Sequence, residues 1–403
     1  MTKTFLKTCC AGVALWASIG VAMAADVPSQ TPQTVKVEPV QPAPASGSTC
    51  ATVDEPKCSV DLTTGIHMAY VEVGPADGTP VILLHGLTDT ARSWAPAMAT
   101  LHAADPKLHI FALDQRGHGG SSMPQGDACM ANPKACFVPP LFAADVVSFM
   151  NAKGISKAVI AGHSMGSIVA QEVALIRPER VEKVVLVATT NSSKDNPVVR
   201  DYVLKEPVMG AWKKALDSKG ITTPQAVWTA TPRDADPAAD DWIAKNWDVD
   251  PAADPALVKA IVPETAVTKM GTWIGATSAL LEFDNTDALK NLTVPTLVLW
   301  GSQDAIFYFQ PDQTGMLSAL RSSKAPFFWK QYGKAILPKS GYQESDIGHN
   351  VQWDAPSQVA SDIDSFINTG KPQEDAYSAD LKAQPVKINV DAGKATIISG
   401  NQP

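Results

Sequence analysis

Three side chains in this sequence have the types and settings needed for nucleophilic catalysis. Ser164 lies in Gly162-His163-Ser164-Met165-Gly166. Lys157–His163 before it is a strand candidate, and Ser167–Ile176 after it has helical spacing. A G-x-S-x-G segment at such a junction makes a sharp turn that lifts the hydroxyl clear of the backbone. The following helix points its positive end at the serine, where it favours developing negative charge. A serine hydroxyl is a weak nucleophile and needs a base. Among the seven histidines, His67, His102 and His109 fall on strand edges or polar loops, and His85, His118 and His163 belong to glycine-rich turns. His349, in Asp346-Ile-Gly-His-Asn350, stands alone beyond the last buried strand candidate and is the expected base. Asp304, in Gly301-Ser-Gln-Asp304, is the acid expected to hold its tautomer. Asp346, Glu344, Asp284 and Asp287 are weaker choices, Asp346 because three residues of loop place it poorly for that ring. The backbone N–H groups of Met165 and Leu87, the latter in His85-Gly86-Leu87-Thr88, are the expected donors to an oxyanion.

These groups need a rigid frame, and the sequence shows one. Ile66–Val73, Val81–His85, His109–Asp114, Lys157–His163, Val184–Ala188, Thr296–Gly301 and Phe327–Tyr332 are strand candidates, most of them short continuous apolar runs. Leu141–Lys153 and Pro356–Asn368 read as helices, with Leu141, Ala144, Val147 and Phe149 or Met150 of the first facing inward. Alternating strands and helices predict an α/β fold: a mostly parallel sheet with helices on both faces. Asn191–Phe283 breaks the rhythm. It has no such strand and holds Trp212, Trp228, Trp242, Trp247 and Trp273. It reads as a helical cap whose tryptophans line a pocket or form its own core. The expected layout is a core of 50–190 and 284–370, a cap of 191–283 and a tail of 371–403. In the tail, Val386–Val390 and Thr396–Ser399 look like a hairpin.

The first 24 residues read as a secretory signal peptide. Lys3 and Lys7 precede an apolar run from Cys9 to Ala22, and Ala22-Met23-Ala24 fits the cleavage pattern. That run is shorter than the roughly 20 residues of a membrane span, and no other stretch looks long enough for one. Residues 25–49 read as a Pro-rich disordered linker. The expected location is therefore secreted or periplasmic. Cys50, Cys58, Cys129 and Cys136 remain after cleavage and admit three pairings. Local bonds, Cys50–Cys58 and Cys129–Cys136, are favoured because each closes a small polar loop; zinc would want tighter spacing. The net charge of −8 argues against nucleic acid or anionic lipid as partners.

The His85-Gly86 turn, Asp114-Gln-Arg-Gly-His-Gly119, Gly162–Gly166, Gly301–Asp304 and Gly348-His349 together resemble the α/β-hydrolase superfamily, in its capped lipase- or esterase-like branch. The resemblance spans roughly Ile66 to Asn368 and includes the order nucleophile, acid, base. It implies that Asp114–Gly119 is a structural turn, so Arg116 and His118 have no catalytic part, and that the cap lines the pocket. It also implies that relatives opening epoxides carry a carboxylate where this chain has Ser164. Two features depart from the pattern: Lys334–Glu344 looks like an insertion before the base, and Trp353 is placed to reach the pocket mouth. The expected activity is an exported serine hydrolase for small carboxylic esters or lactones, with apolar or aromatic substrates favoured and no cofactor or metal. The alternatives are the same triad on an activated C–C bond or an amide, the latter with Glu264 or Glu282 near the pocket, then a perhydrolase, then a non-catalytic binding protein.

Overall fold

Short apolar runs become the strands that carry the site. The computed structural model describes residues 56–246, 253–333, 347–380 and 387–402, all within the unit Gly47–Pro403. The signal peptide, the linker, Cys50, Trp247, Lys334–Glu344 and Asp346 lie outside the described residues. The strands are β1 (Cys58–Asp61), β2 (His67–Val73), β3 (Thr79–Leu84), β4 (Leu108–Leu113), β5 (Ala158–His163) and β6 (Val181–Val187), then β7 (Thr296–Gly301), β8 (Phe327–Tyr332), β9 (Asp375–Asp380), β10 (Lys387–Lys394) and β11 (Ile397–Gly400). Among the described residues the main sheet has nine strands in the order β1-β2-β4-β3-β5-β6-β7-β8-β11. From β4 to β8 all neighbours are parallel, whereas β1, β2 and β11 run antiparallel to theirs.

Alternation along the strands explains the two clusters that flank the sheet. Ile82, Leu84, Ile160 and Leu186 face one cluster, with the helix Met165–Ile176; Val81, Leu83, Val159 and Val185 face the other, with the helices Ala95–Ala104 and Pro356–Thr369. Each such side chain, fully buried, contributes about 1.5–3 kcal/mol. Both faces are covered, so the parallel strands read as unbroken apolar runs rather than alternating ones. The chain reverses its direction of travel across the sheet at β3, between β4 and β5. Open sheets of this kind bind ligands outside the carboxyl ends of their strands at such a point.

Three expectations are corrected. The helix Pro139–Ala152 buries Phe142, Ala143, Val146, Phe149 and Met150, while Leu141, Ala144 and Val147 are only half-buried. The buried face also includes Asp145 and Ser148, because both have inward partners: Arg116 donates to Asp145 through Nε (2.6 Å) and a terminal nitrogen (2.8 Å), and Ser148 Oγ accepts the Thr63 N–H. Secondly, β10 pairs with β9, not with the last strand, and β11 joins the main sheet beside β8. Asn401 closes that junction by donating to the carbonyls of Leu320, Ser323 and Ala325. Thirdly, Pro133–Ala152 is long and apolar enough to cross a membrane by length and composition, with a mean hydropathy of 1.4, although half of it is buried in the protein.

The cap enters and leaves through a narrow neck, where Ser192 and Asp284 form an antiparallel bridge and Asn285 N–H donates to Asn191. Its helices run from Val198–Trp212 to Met270–Leu280. Glu264, on the helix Pro255–Ala266, ties the cap to the core: Lys57 bridges it to Asp114 (2.9 and 2.8 Å), and Arg92 Nε donates to it at 3.0 Å. Cys129 and Cys136 form a disulfide with a Cα separation of 5.6 Å, and Cys58 is also disulfide-bonded. Reduction is expected to destabilise the fold by about 2–3 kcal/mol for each short loop released. Calorimetry with and without reductant checks this; an unchanged melting temperature would contradict it.

Candidate active site

Ser164 stands at φ +50°, ψ −118°, a conformation L side chains rarely adopt. The turn is possible because of its glycines. A Cβ on Gly162 would lie 2.1 Å from Gly166 O, and one on Gly166 would lie 2.3 Å from Leu84 O. Ser164 N–H is held by Val187 O at 3.0 Å, so β6 fixes the height of the turn above β5. The hydroxyl therefore projects beyond the carboxyl end of the sheet.

His349 reaches it from beyond β8. Its Nε2 is 2.8 Å from Ser164 Oγ, and its Nδ1 is 2.9 Å from Asp304 Oδ1. A carboxylate oxygen can only accept, so Nδ1 carries the proton and Nε2 accepts the serine hydroxyl. Asp304 is fully buried, and its Oδ1 also accepts the N–H groups of Ile306 and Phe307, each at 2.9 Å. The two loops meet through glycine: a Cβ on Gly301 would lie 2.2 Å from Gly348 O, and Gln303 N–H donates to Ile347 O. Gly348 N–H donates to Asp354, and His349 O is contacted by His163 Nε2 at 3.1 Å, so the backbone of the base is held on both sides. This is the geometry in which an imidazole can draw the serine proton while the carboxylate stabilises the resulting charge.

The paired strands β3 and β5 bring the other expected parts alongside, Leu84 lying opposite Gly162. Leu87 and Met165 follow these strands, and among the described residues neither backbone N–H has a protein acceptor. The loop carrying Leu87 is pinned by His85, whose Nδ1 donates to Gly86 O (2.7 Å) and whose Nε2 accepts Gln115 N–H (3.0 Å). Burial and the neighbouring His118 hold His85 well below the usual imidazole range, and burial lowers His118 to about 4. Both are neutral framework groups.

Ser164, His349 and Leu87 open into a cavity of about 260 Å³. Val199 and Val203 reach it from the cap's first helix and Leu280 from its last; Ile306 and Phe307 reach it from the loop after Asp304. The tryptophan expectation is corrected here. Trp353 lines this cavity, but Trp212, Trp228, Trp242 and Trp273 do not. Trp212 packs edge-on against Trp242 (5.3 Å) and Trp273 (5.1 Å), so these three form the interior of the cap, and Trp228 packs obliquely on Phe137 of the core. Their large apolar surfaces gain more from mutual burial than from a wet cavity. Glu264 and Glu282 do not line it either; they pair with Lys57 and Arg92, and with Lys134. The pocket-facing valines had a readable signal, since Val199 and Val203 are one helical turn apart.

A second buried carboxyl, Asp312, accepts a hydrogen bond from Thr190 Oγ1 behind the site. Burial raises it to about 7, Thr190 opposing and Asp304 adding to the rise. The folded state thus keeps a proton that the unfolded chain loses near pH 4. Its contribution to stability falls as pH rises from about 4 through about 7. Asp312→Asn is expected to raise the melting temperature at pH 8 by about 1–3 °C, with little change at pH 4. A melting temperature unchanged or lower at pH 8 would contradict this account.

A sequence profile of the α/β hydrolase fold family matches residues 79–356, so the chain belongs to that family and is a hydrolase. Epoxide hydrolase A of Mycobacterium tuberculosis is 34% identical over 122 residues, 30% of this chain and 35% of that protein. An epoxide hydrolase of Caballeronia sordidicola is 24% identical over 344 residues, 76% of this chain and 92% of that one. The crystal structure of an enol-lactonase from Burkholderia xenovorans LB400 has a TM-score of 0.55 at 18% identity, covering 77% of this chain and 99% of that one, and shares the fold.

Proposed function

We propose that this protein is an exported serine hydrolase cleaving small carboxylic esters or lactones. Ser164 attacks the carbonyl carbon, His349 takes its proton and returns it to the leaving group, and Asp304 holds the imidazole. The N–H groups of Leu87 and Met165 receive the oxyanion, and water activated by His349 then releases the acyl group. The observation that carries this reading is the unbroken hydrogen-bonded series from Ser164 Oγ through His349 to Asp304, opening on a small apolar cavity.

The chemistry of the nucleophile separates this reading from epoxide opening. A carboxylate that opens an epoxide forms an ester, which water can cleave. A serine would form an ether, which the same machinery could not release. The cavity of about 260 Å³ lies below the usual range of roughly 300–1,000 Å³ for ligand sites, which favours short acyl groups. The disulfide Cys129–Cys136 supports an oxidising location, and with it export. A chromogenic panel of p-nitrophenyl acetate, butyrate and palmitate, with lactones and aminoacyl amides, tests the reading. Turnover of short esters at least about tenfold above palmitate is expected, since each buried methylene needs room to fit. Preferential cleavage of amides would overturn it.

A further inference from the structure

One acidic side chain in the cavity has no part in the mechanism above. Asp89 is 4% exposed and lines the same cavity as Ser164 and Leu87. Its Oδ1 accepts the N–H of Thr90 at 2.8 Å. Capping of the short helix that follows is done by Thr90, whose Oγ1 accepts Arg92 N–H, so Asp89 is not needed for that. Thr88, just before it, holds φ +57°, and this left-handed step turns the chain between Leu87 and Asp89. A buried carboxyl costs free energy unless it is well partnered, which makes the placement of this acid among the lining residues informative; the other polar ones, such as Ser193, Tyr202, Asn246 and Asn350, are uncharged or belong to the triad and its supports.

Resting on the serine-hydrolase reading, we propose that Asp89 is a specificity-determining residue that hydrogen-bonds a hydroxyl on carbon 2 or 3 of the acyl group, so that the substrates are short hydroxyacyl esters or lactones. Leu87 and Asp89 are two residues apart, at most about 7 Å between α carbons, and both line the cavity with Ser164. With the carbonyl oxygen at Leu87 N–H, the part of the acyl group next to the carbonyl is the part placed beside Asp89. Lys57 and Arg92 are paired with Asp114 and Glu264, so these four charges offset one another and the choice of partner falls to Asp89 itself. Burial raises the Asp89 carboxyl to about 7; Glu264 adds to the rise, while the Thr90 amide, Ser93 and Lys57 oppose it. A hydroxyl can accept from the acid or donate to the carboxylate, so it is held in either state.

The test compares p-nitrophenyl butyrate with its 2-hydroxy, 3-hydroxy and 3-amino analogues, each rate normalised to alkaline hydrolysis. In the unaltered enzyme, kcat/KM for at least one hydroxy ester is expected to exceed that for butyrate by about tenfold, the scale of one hydrogen bond to a buried acid. Asp89→Leu should reduce that ratio to near one, and Asp89→Asn, which keeps a donor and an acceptor, should restore part of it. A ratio near one in the unaltered enzyme, a ratio unmoved by Asp89→Leu, or preference for the amino ester would overturn the proposal. Should Asp89→Leu fail to fold, the unaltered enzyme and Asp89→Asn still decide it. Butyrate turnover with fluorophosphonate labelling of Ser164 but no hydroxyl preference sinks only the Asp89 assignment. No ester turnover and no labelling sinks both.

Discussion

Replacing Ser164 by alanine is expected to abolish hydrolysis of p-nitrophenyl butyrate, with a loss in kcat of about 10⁵–10⁶-fold, as when the nucleophile of a comparable triad is removed. The fold should survive. The Ser164 hydroxyl bonds to His349, while the turn itself is held by the backbone bond to Val187 and by the close packing of Gly162 and Gly166, none of which the substitution touches. Alanine meets the same strain at φ +50° as serine does. Circular dichroism and a melting curve would establish that the variant is folded, and a fluorophosphonate should label the unaltered protein but not Ser164→Ala. Turnover by the folded variant within tenfold of the original would remove Ser164 from the chemistry.

Asp304→Asn is expected to lower kcat by about 10²–10⁴-fold. Asparagine fits the space, but in Asp304 a single oxygen, Oδ1, meets the N–H groups of Ile306 and Phe307 and also His349 Nδ1. An amide oxygen kept there still holds the ring but brings no charge to stabilise the imidazolium. An amide nitrogen turned there leaves both backbone N–H groups without that acceptor and favours the tautomer in which Nε2 holds the proton, a ring that cannot accept from Ser164. The base is weakened in either case. Asp346→Asn is the companion measurement, because Asp346 is the acid closest to His349 in the sequence. A greater loss from Asp346→Asn than from Asp304→Asn would reverse the assignment of the acid.

Much of the frame was legible in the sequence, for a local reason. A strand covered on both faces must be apolar at every position, and Val81–Leu84 or Leu297–Trp300 show this without any tertiary information. The G-x-S-x-G turn is legible because two glycines are required by contacts within five residues and across one neighbouring strand. What failed depended on partners distant in the chain. Asp145 and Ser148 look like the solvent face of a helix until Arg116 and Thr63 are seen beneath them. β11 looks like half of a hairpin because its partner, β8, lies some seventy residues earlier. The cap tryptophans signalled large buried apolar surface, but composition does not say whether such surface faces a cavity or another indole.

The final strand also bears on how this protein can be handled. With β11 in place, Phe327–Lys330 are paired on that side. Remove Ile397–Gly400 and the apolar segment Phe-Phe-Trp would lie along an open edge, a template for annealing with another molecule. Shortened versions made for crystallisation should stop no earlier than Gln402, whose amide donates to Phe327 O.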